Sequence, residues 1–352
     1  MDLTLLIYLI LAIIVVFTSI CLSNIIDKID RNTKISSVFL GSVMLAIVTS
    51  LPELFTTLSA VVFLDQPSMA YGNILGSNLF DLAIMSFFIL FTLKLFYNSI
   101  LDKIHIKTTI YCLLIFSVLV FGSIFDSLFV IPFININVLS FIIAFICIVA
   151  FNFNAKSNDK QTCCKIYIKS VTNIAFNLKK NLIYFALFSI VLIVSSCILS
   201  FVASDIAEKF ELSEGFAGML FLGIATSLPE IISTLNLIKL KNYNLAYGNI
   251  IGSILFNLFI LVIADVFYFN GTIFTIDNAL FILTIICFFS CLLMLLILIT
   301  KNDCFKWQQK KLAKKEIISY NDDYRKQIII YSILTSIIIA IFMSYMIIAP
   351  NL

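Results

Sequence analysis

Glu53 and Glu230 each sit inside a long apolar run, one residue after a proline, in the segments IVTSLPEL (residues 47–54) and IATSLPEI (residues 224–231). Ionisable residues at such positions are costly, and they default to function. Pro52 and Pro229 have no amide hydrogen, so each frees a carbonyl four residues back, on Val48 and Ala225, and should bend its helix there. Thr49 and Glu53 are four apart and share one helical face, as do Thr226 and Glu230. A second pair of motifs, AYGNILGSNLFDL from Ala70 and AYGNIIGSILFNL from Ala246, adds Ser77 with Asp81, and Ser253 with Asn257, at the same spacing. These groups are all oxygen ligands, with no His or Cys among them. Such a set suits hard cations such as calcium or sodium and disfavours zinc or copper. One buried Glu beside a Pro is compatible with a structural hydrogen bond; two copies with matched flanks point to a cation cage. Gly72, Gly76, Gly248 and Gly252 read as packing residues that let helices approach closely.

The elements that must position these groups follow from composition. The chain has 352 residues, 61% hydrophobic and 12% charged, with mean hydropathy +1.10. That is more apolar side chain than a soluble core encloses, and it reads as an all-α polytopic membrane protein. Apolar runs long enough to span a bilayer fall at roughly 3–23, 35–63, 68–97, 107–125, 132–151, 182–203, 213–238, 243–269, 275–300 and 328–348, ten in all. The first is read as a retained span, since no basic segment precedes it and no clear small-residue cleavage site follows, with a cleaved signal as the alternative. The nine cysteines form no CxxC pair and no zinc spacing, and read as small core residues or, at Cys163 and Cys164, as reduced thiols.

The segment from Ile35 to Leu58 aligns without gaps to Leu212–Leu235, and the motif from Ala70 aligns to that from Ala246. The chain is therefore an internal duplication: 1–151 as a first five-helix repeat, 152–181 as a lysine-rich cytoplasmic linker, and 182–352 as a second five-helix repeat. An odd number of spans per copy makes the second enter the membrane from the opposite face. Inverted repeats of this kind place a substrate site at the midplane between the copies.

Basic residues set the orientation, because cytoplasmic loops retain Lys and Arg. Of the 23 basic residues, all except Lys209 fall in alternate loops or the linker. Both termini are expected outside, with the protein in the plasma membrane. Asp265 and Asp277, near span ends, are expected to be solvated. The only histidine, His105, is expected in a basic loop, and 301–327 is read as a solvated loop, with a short amphipathic surface helix as the alternative.

At the paired TSLPE motifs, followed by GNILGSNLFD in one copy and GNIIGSILFN in the other, the sequence resembles the cation/calcium exchanger superfamily, specifically its prokaryotic-type sodium/calcium exchangers. The resemblance implies ten transmembrane helices as two inverted five-helix repeats, with alternating access by sliding of the first and sixth spans past the core. By position it implies Thr49, Glu53, Thr226 and Glu230 as calcium ligands, the glutamates shared with sodium. It implies Ser50, Ser77, Ser227 and Ser253 as sodium-ligating hydroxyls, and the carbonyls of Ala46 and Gly223 as sodium-ligating backbone. Asp81 and Asn257 take the paired central positions. The chain departs from the pattern at Val48 and Ala225, where a Gly often stands, and at Ile254, where the second copy loses an amide.

The expected function is a secondary active antiporter exchanging sodium for calcium, electrogenic, with no cofactor and no covalent chemistry. Its expected partners are the lipid bilayer and the transported ions, with no nucleic acid and no obligatory protein. Calcium/proton exchange, with Glu53, Glu230 and Asp81 cycling protons, and potassium-dependent exchange are the alternatives within transport. A passive cation channel or an intramembrane enzyme is disfavoured. No Ser/His, Asp-pair or HExxH constellation supports hydrolysis, and two half-sites in inverted copies favour alternating access over a pore.

Overall fold

In the computed structural model, residues 3–124, 136–156, 176–209, 216–274, 278–313 and 320–348 are described. Cys163, Cys164, Asp277 and most of the expected linker lie outside them. The described residues run as α1 (Leu3–Asn32), α2 (Ser37–Thr49), α3 (Leu51–Val62), α4 (Pro67–Phe91), α5 (Leu93–Asn98), α6 (Ile104–Ile124) and α7 (Val138–Ala155). The chain continues as α8 (Leu178–Lys209), α9 (Phe216–Lys239), α10 (Tyr243–Phe267), α11 (Asn278–Ala313) and α12 (Tyr320–Ile348).

Lipid offers backbone amides and carbonyls no partner, so a spanning segment must bond internally, and apolar runs of this length do so as helices. Eight of these helices are long and apolar enough to cross a membrane, and α2 with α3 forms a further candidate bent by 43°. Outward faces are greasy: Phe91, Phe145 and Phe17 are exposed by 70%, 69% and 60%. The polar side chains turn inward.

At the centre lies α10, buried along most of its length and packed against α2, α4, α6, α7 and α9. Glycines allow its close approach to α2. A Cβ on Gly252 would lie 2.4 Å from the Ser42 Cα, and one on Gly41 2.8 Å from the Leu245 carbonyl oxygen. Within α2 the segment Leu40–Leu45 is wound as a π-helix, a form that occurs mostly as a single turn near functional positions.

Polar contacts group the helix ends. Arg31 Nη2 donates to the Leu240 carbonyl at 3.0 Å. Asn242 Nδ2 bridges Asp27 Oδ1 and Asp30 Oδ2 at 2.9 and 3.0 Å. Lys301 Nζ donates to the carbonyls of Phe96 and Tyr97, the latter at 2.6 Å. With the Asp102 amide donating to Asn244 Oδ1 at 2.8 Å, these bonds gather Lys28, Arg31, Lys103, Lys239, Lys241 and Lys301 at one end. At the other, Asn270 Nδ2 donates to Asp65 Oδ1 at 3.1 Å.

Several expectations are corrected. Asp265 is not solvated: it is buried and accepts from the Asn137 amide, Ser140 Oγ, Thr272 Oγ1 and the Ile273 amide at 2.6–3.1 Å, tying the segment after α10 to the start of α7. His105 is buried in the first turn of α6, with Nε2 2.9 Å from Asn244 Oδ1. Counting the local lysines hid that partner. The helix α11 runs on through Ala313, past the point where a solvated loop was expected, because Lys, Gln, Ala and Leu are good helix formers. Pro229 does not break α9, which stays one helix, whereas the chain at Pro52 divides into α2 and α3.

Candidate functional site

The break between α2 and α3 falls on Ser50, whose φ of −95° and ψ of 7° leave the helical region. Pro52 opens α3, where a missing amide hydrogen costs nothing, and Glu53 follows in its first turn. There the helix macrodipole favours a carboxylate. The bend turns Ser50 toward the other copy. Its Oγ donates to Glu230 Oε1 at 2.9 Å and lies 2.8 Å from Ser253 Oγ, while Ser253 Oγ contacts Asp81 Oδ2 at 3.0 Å. Four residues from α9, α4, α10 and the α2–α3 break thus form a continuous line of oxygens. Glu53 lies near Thr226 and Ser227 of the other copy.

Every one of these groups is deeply buried: Thr49, Ser50, Thr226 and Ser253 are fully so, and Glu53, Asp81, Ser227, Glu230 and Asn257 are 1% exposed. None of the three carboxylates pairs with a described lysine or arginine. Each also keeps an oxygen with no hydrogen-bond partner, Glu53 Oε2, Asp81 Oδ1 and Glu230 Oε2, and the same holds for Ser77 Oγ, Ser227 Oγ and Asn257 Oδ1. Buried polar atoms are normally satisfied, and buried anions need compensation. A cation drawn into the cluster supplies both.

The proton count points the same way. The line from Glu230 through Ser50 and Ser253 to Asp81 has three short oxygen–oxygen contacts, and each hydroxyl brings one proton. Two hydroxyl protons cannot fill three contacts between ionised ends. One more positive centre, a cation or a proton on a carboxyl, completes the line.

Among the described residues no group of three His, Cys, Asp or Glu side chains is placed to hold a metal ion by itself. A cation here must therefore take hydroxyl and amide oxygens as well. Thr49 fits that need: its hydroxyl donates to the carbonyls of Leu45 and Ala46, both at 3.2 Å, and keeps lone pairs free. The Ala46 carbonyl fits less well, since it also accepts the Ser50 amide at 3.0 Å. Gly223 lies on α9, but its surroundings fall outside the described residues. Asn78 was missed from the sequence. It is buried and accepts from Asn257 Nδ2 at 3.1 Å through Oδ1. The signal was present: position 254, its counterpart, is the Ile that breaks the match between copies.

The two copies support the cluster alike. Asn73 Nδ2 donates to Thr57 Oγ1 at 3.3 Å, and its counterpart Asn249 Nδ2 donates to Thr234 Oγ1 at 3.1 Å. Each bond fastens a TSLPE helix to the following glycine-rich helix.

The family described as "Sodium/calcium exchanger protein" matches residues 3–154 and 180–349. No curated protein matches the chain. Among solved structures, the chain is similar to the sodium-calcium exchanger NCX_Mj soaked with 10 mM Na+ and 10 mM Sr2+, at 20% identity, with 97% of this chain and 99% of that chain covered and a TM-score of 0.65. It is similar also to NCX_Mj soaked with zero Na+ and Ca2+, at 19% identity, covering 96% and 98%, with a TM-score of 0.60. At these identities the likeness speaks for the fold.

Proposed function

Since the chain belongs to the sodium/calcium exchanger protein family, we propose that it is a secondary antiporter that exchanges sodium for calcium across a membrane by alternating access. The observation that carries this reading is the set of three buried carboxylates, none paired with a described base and each with an unsatisfied oxygen, gathered from both sequence copies. In this reading ten spans form two inverted five-helix repeats, 1–151 and 182–352, joined by the linker 152–181. Both termini lie outside, and the membrane is the plasma membrane.

Calcium is held by Glu53 and Glu230 with Thr49 and Thr226. Sodium ions take the same glutamates with Ser50, Ser77, Ser227 and Ser253, and Asp81 with Asn257 completes the centre. The Ala46 and Gly223 carbonyls are secondary ligands. Ser50 hydrogen bonds to Glu230 and contacts Ser253, so any ion that draws Glu230 away disturbs both. That shared hydroxyl couples ligands from α9 and α10 and makes calcium and sodium compete for one cluster.

A second reading, calcium/proton exchange, is favoured by the line of three oxygen contacts, which a proton on Asp81 or Glu230 completes as well as a cation does. Radioactive calcium uptake into proteoliposomes separates the two. Sodium loaded inside should drive uptake at matched pH, and a pH gradient without sodium should not. Uptake driven by pH alone would replace sodium with protons as the counter-ion.

A further inference from the structure

Away from the carboxylate cluster, α1 and α8 part at the lysine-rich end and leave a cleft of about 630 Å³. The two helices close against each other deeper in, where Phe17 meets Phe188 edge to face with ring centroids 6.5 Å apart. Toward the helix ends the facing stripes turn polar. On α1 the lining residues Cys21, Ile25, Lys28 and Asn32 recur at helical spacing; on α8 Lys180, Asn181, Tyr184 and Phe188 do the same.

Lys28 and Lys180 place two ammonium groups at the mouth, and no carboxylate is among the described lining residues. Lys28 pairs with no described acid, while the neighbouring Arg31 is taken by Asp27 at 2.7 Å. The Lys180 ammonium lies 5.6 Å from the centroid of the Tyr184 ring, which steers it along the cleft wall. Below this charged rim Asn24 and Asn181 interrupt walls that are otherwise apolar, with Ile25 and Phe188, and the apolar surface continues onto the outer faces of α1 and α8, where Phe17, Leu187 and Ile183 are 60%, 54% and 50% exposed. A ligand that fits carries an anionic head at the rim and a hydrocarbon body that leaves sideways between the helices. Basic clefts between spans at the charged rim of a membrane hold lipid head groups for this reason.

We infer that this cleft binds an anionic phospholipid from the adjoining leaflet, its phosphate held by Lys28 and Lys180 and an acyl chain lying against Phe188. The inference concerns binding and stands apart from the exchange reaction.

Native mass spectrometry of the full-length protein, titrated with phosphatidylglycerol, phosphatidylcholine or glycerol phosphate, tests it. Phosphatidylglycerol should be retained at least tenfold over phosphatidylcholine. The double substitution Lys28→Ala, Lys180→Ala should weaken it by roughly 30-fold, from the pull of two lysines near a surface. Lys28→Arg with Lys180→Arg should restore it, and Lys103→Ala with Lys239→Ala, at the same end, should leave it within about twofold. The melting temperature of each variant confirms folding. Equal retention of the two lipids, an equal loss in the Lys103 and Lys239 control, or displacement by glycerol phosphate at comparable concentration overturns the assignment. The last outcome would make the cleft a site for soluble phosphates.

Discussion

Ser50 donates a hydrogen bond to Glu230 at 2.9 Å although the two stand 180 residues apart. The bond exists because α2 breaks at Ser50 and turns its hydroxyl toward the other copy. It joins one TSLPE motif to the other, so the polar groups of each copy depend on the conformation of its partner.

Glu53→Gln and Glu230→Gln should each abolish calcium uptake, by 100-fold or more. Without ions both variants should melt at or above the wild-type temperature, because a buried, uncompensated carboxylate is destabilising. Thermal shift with and without calcium reads this out: the wild type gains stability on adding calcium and the variants do not. A variant that still gains stability would assign that glutamate a structural role.

Ser50→Ala removes one hydroxyl from the line joining Glu230 and Asp81. Sodium affinity should fall by roughly tenfold, the worth of one hydrogen bond to a charged group. Ser117→Ala, whose hydroxyl only caps the Leu113 carbonyl on an exposed face, should leave affinity unchanged. Equal behaviour of the two in sodium-dependence curves would remove Ser50 from the site.

Gly252→Ala should destabilise by about 3 kcal/mol or prevent folding, since the new Cβ meets the Ser42 backbone. Gly72→Ala should cost about 1 kcal/mol or less, because its Cβ meets only the end of the Leu280 side chain at 3.2 Å. Melting temperatures in detergent compare the two directly. Equal tolerance would contradict the close approach of α2 and α10.

Asn242→Ala cuts both bonds to Asp27 and Asp30, which fasten α1 to the segment between α9 and α10. The loss should be about 2 kcal/mol, with faster hydrogen exchange at the lysine-rich end of α1 and at the first turn of α10, whose Leu245 amide the Asn242 side chain caps. Unchanged protection there would mean that the remaining bonds hold α1 alone.

Membrane orientation is open to cysteine labelling in a background cleared of native cysteines. Gln66→Cys and Asn270→Cys should react from outside, and Lys103→Cys and Lys241→Cys only from the cytoplasm, as the placement of lysines dictates. The reverse pattern would invert the protein.

The buried polar cluster was legible from the sequence because its residues recur in two copies at fixed spacing inside apolar runs, where charge and Pro have few bland explanations. Asn78 escaped because its counterpart is Ile254. Asp265 and His105 were misread because a single sequence locates loops by charge and apolarity but does not say what folds over them. Asp265 became buried through bonds to residues of α7 and the segment after α10. The different course of α9 at Pro229 and of the chain at Pro52 was likewise invisible, since identical motifs met different neighbours.

The account rests on sodium as the counter-ion, and three carboxylates suggest three sodium ions against one calcium. One net charge would then cross per cycle, and voltage would bias it by about 2.3 kcal/mol per 100 mV. Reversal of calcium flux in proteoliposomes, read at set sodium ratios and clamped voltage, tests this most directly. At zero voltage a tenfold sodium gradient should balance a calcium gradient of about a thousandfold, and the balance point should shift with voltage. A balance point that ignores sodium and follows pH would contradict the account.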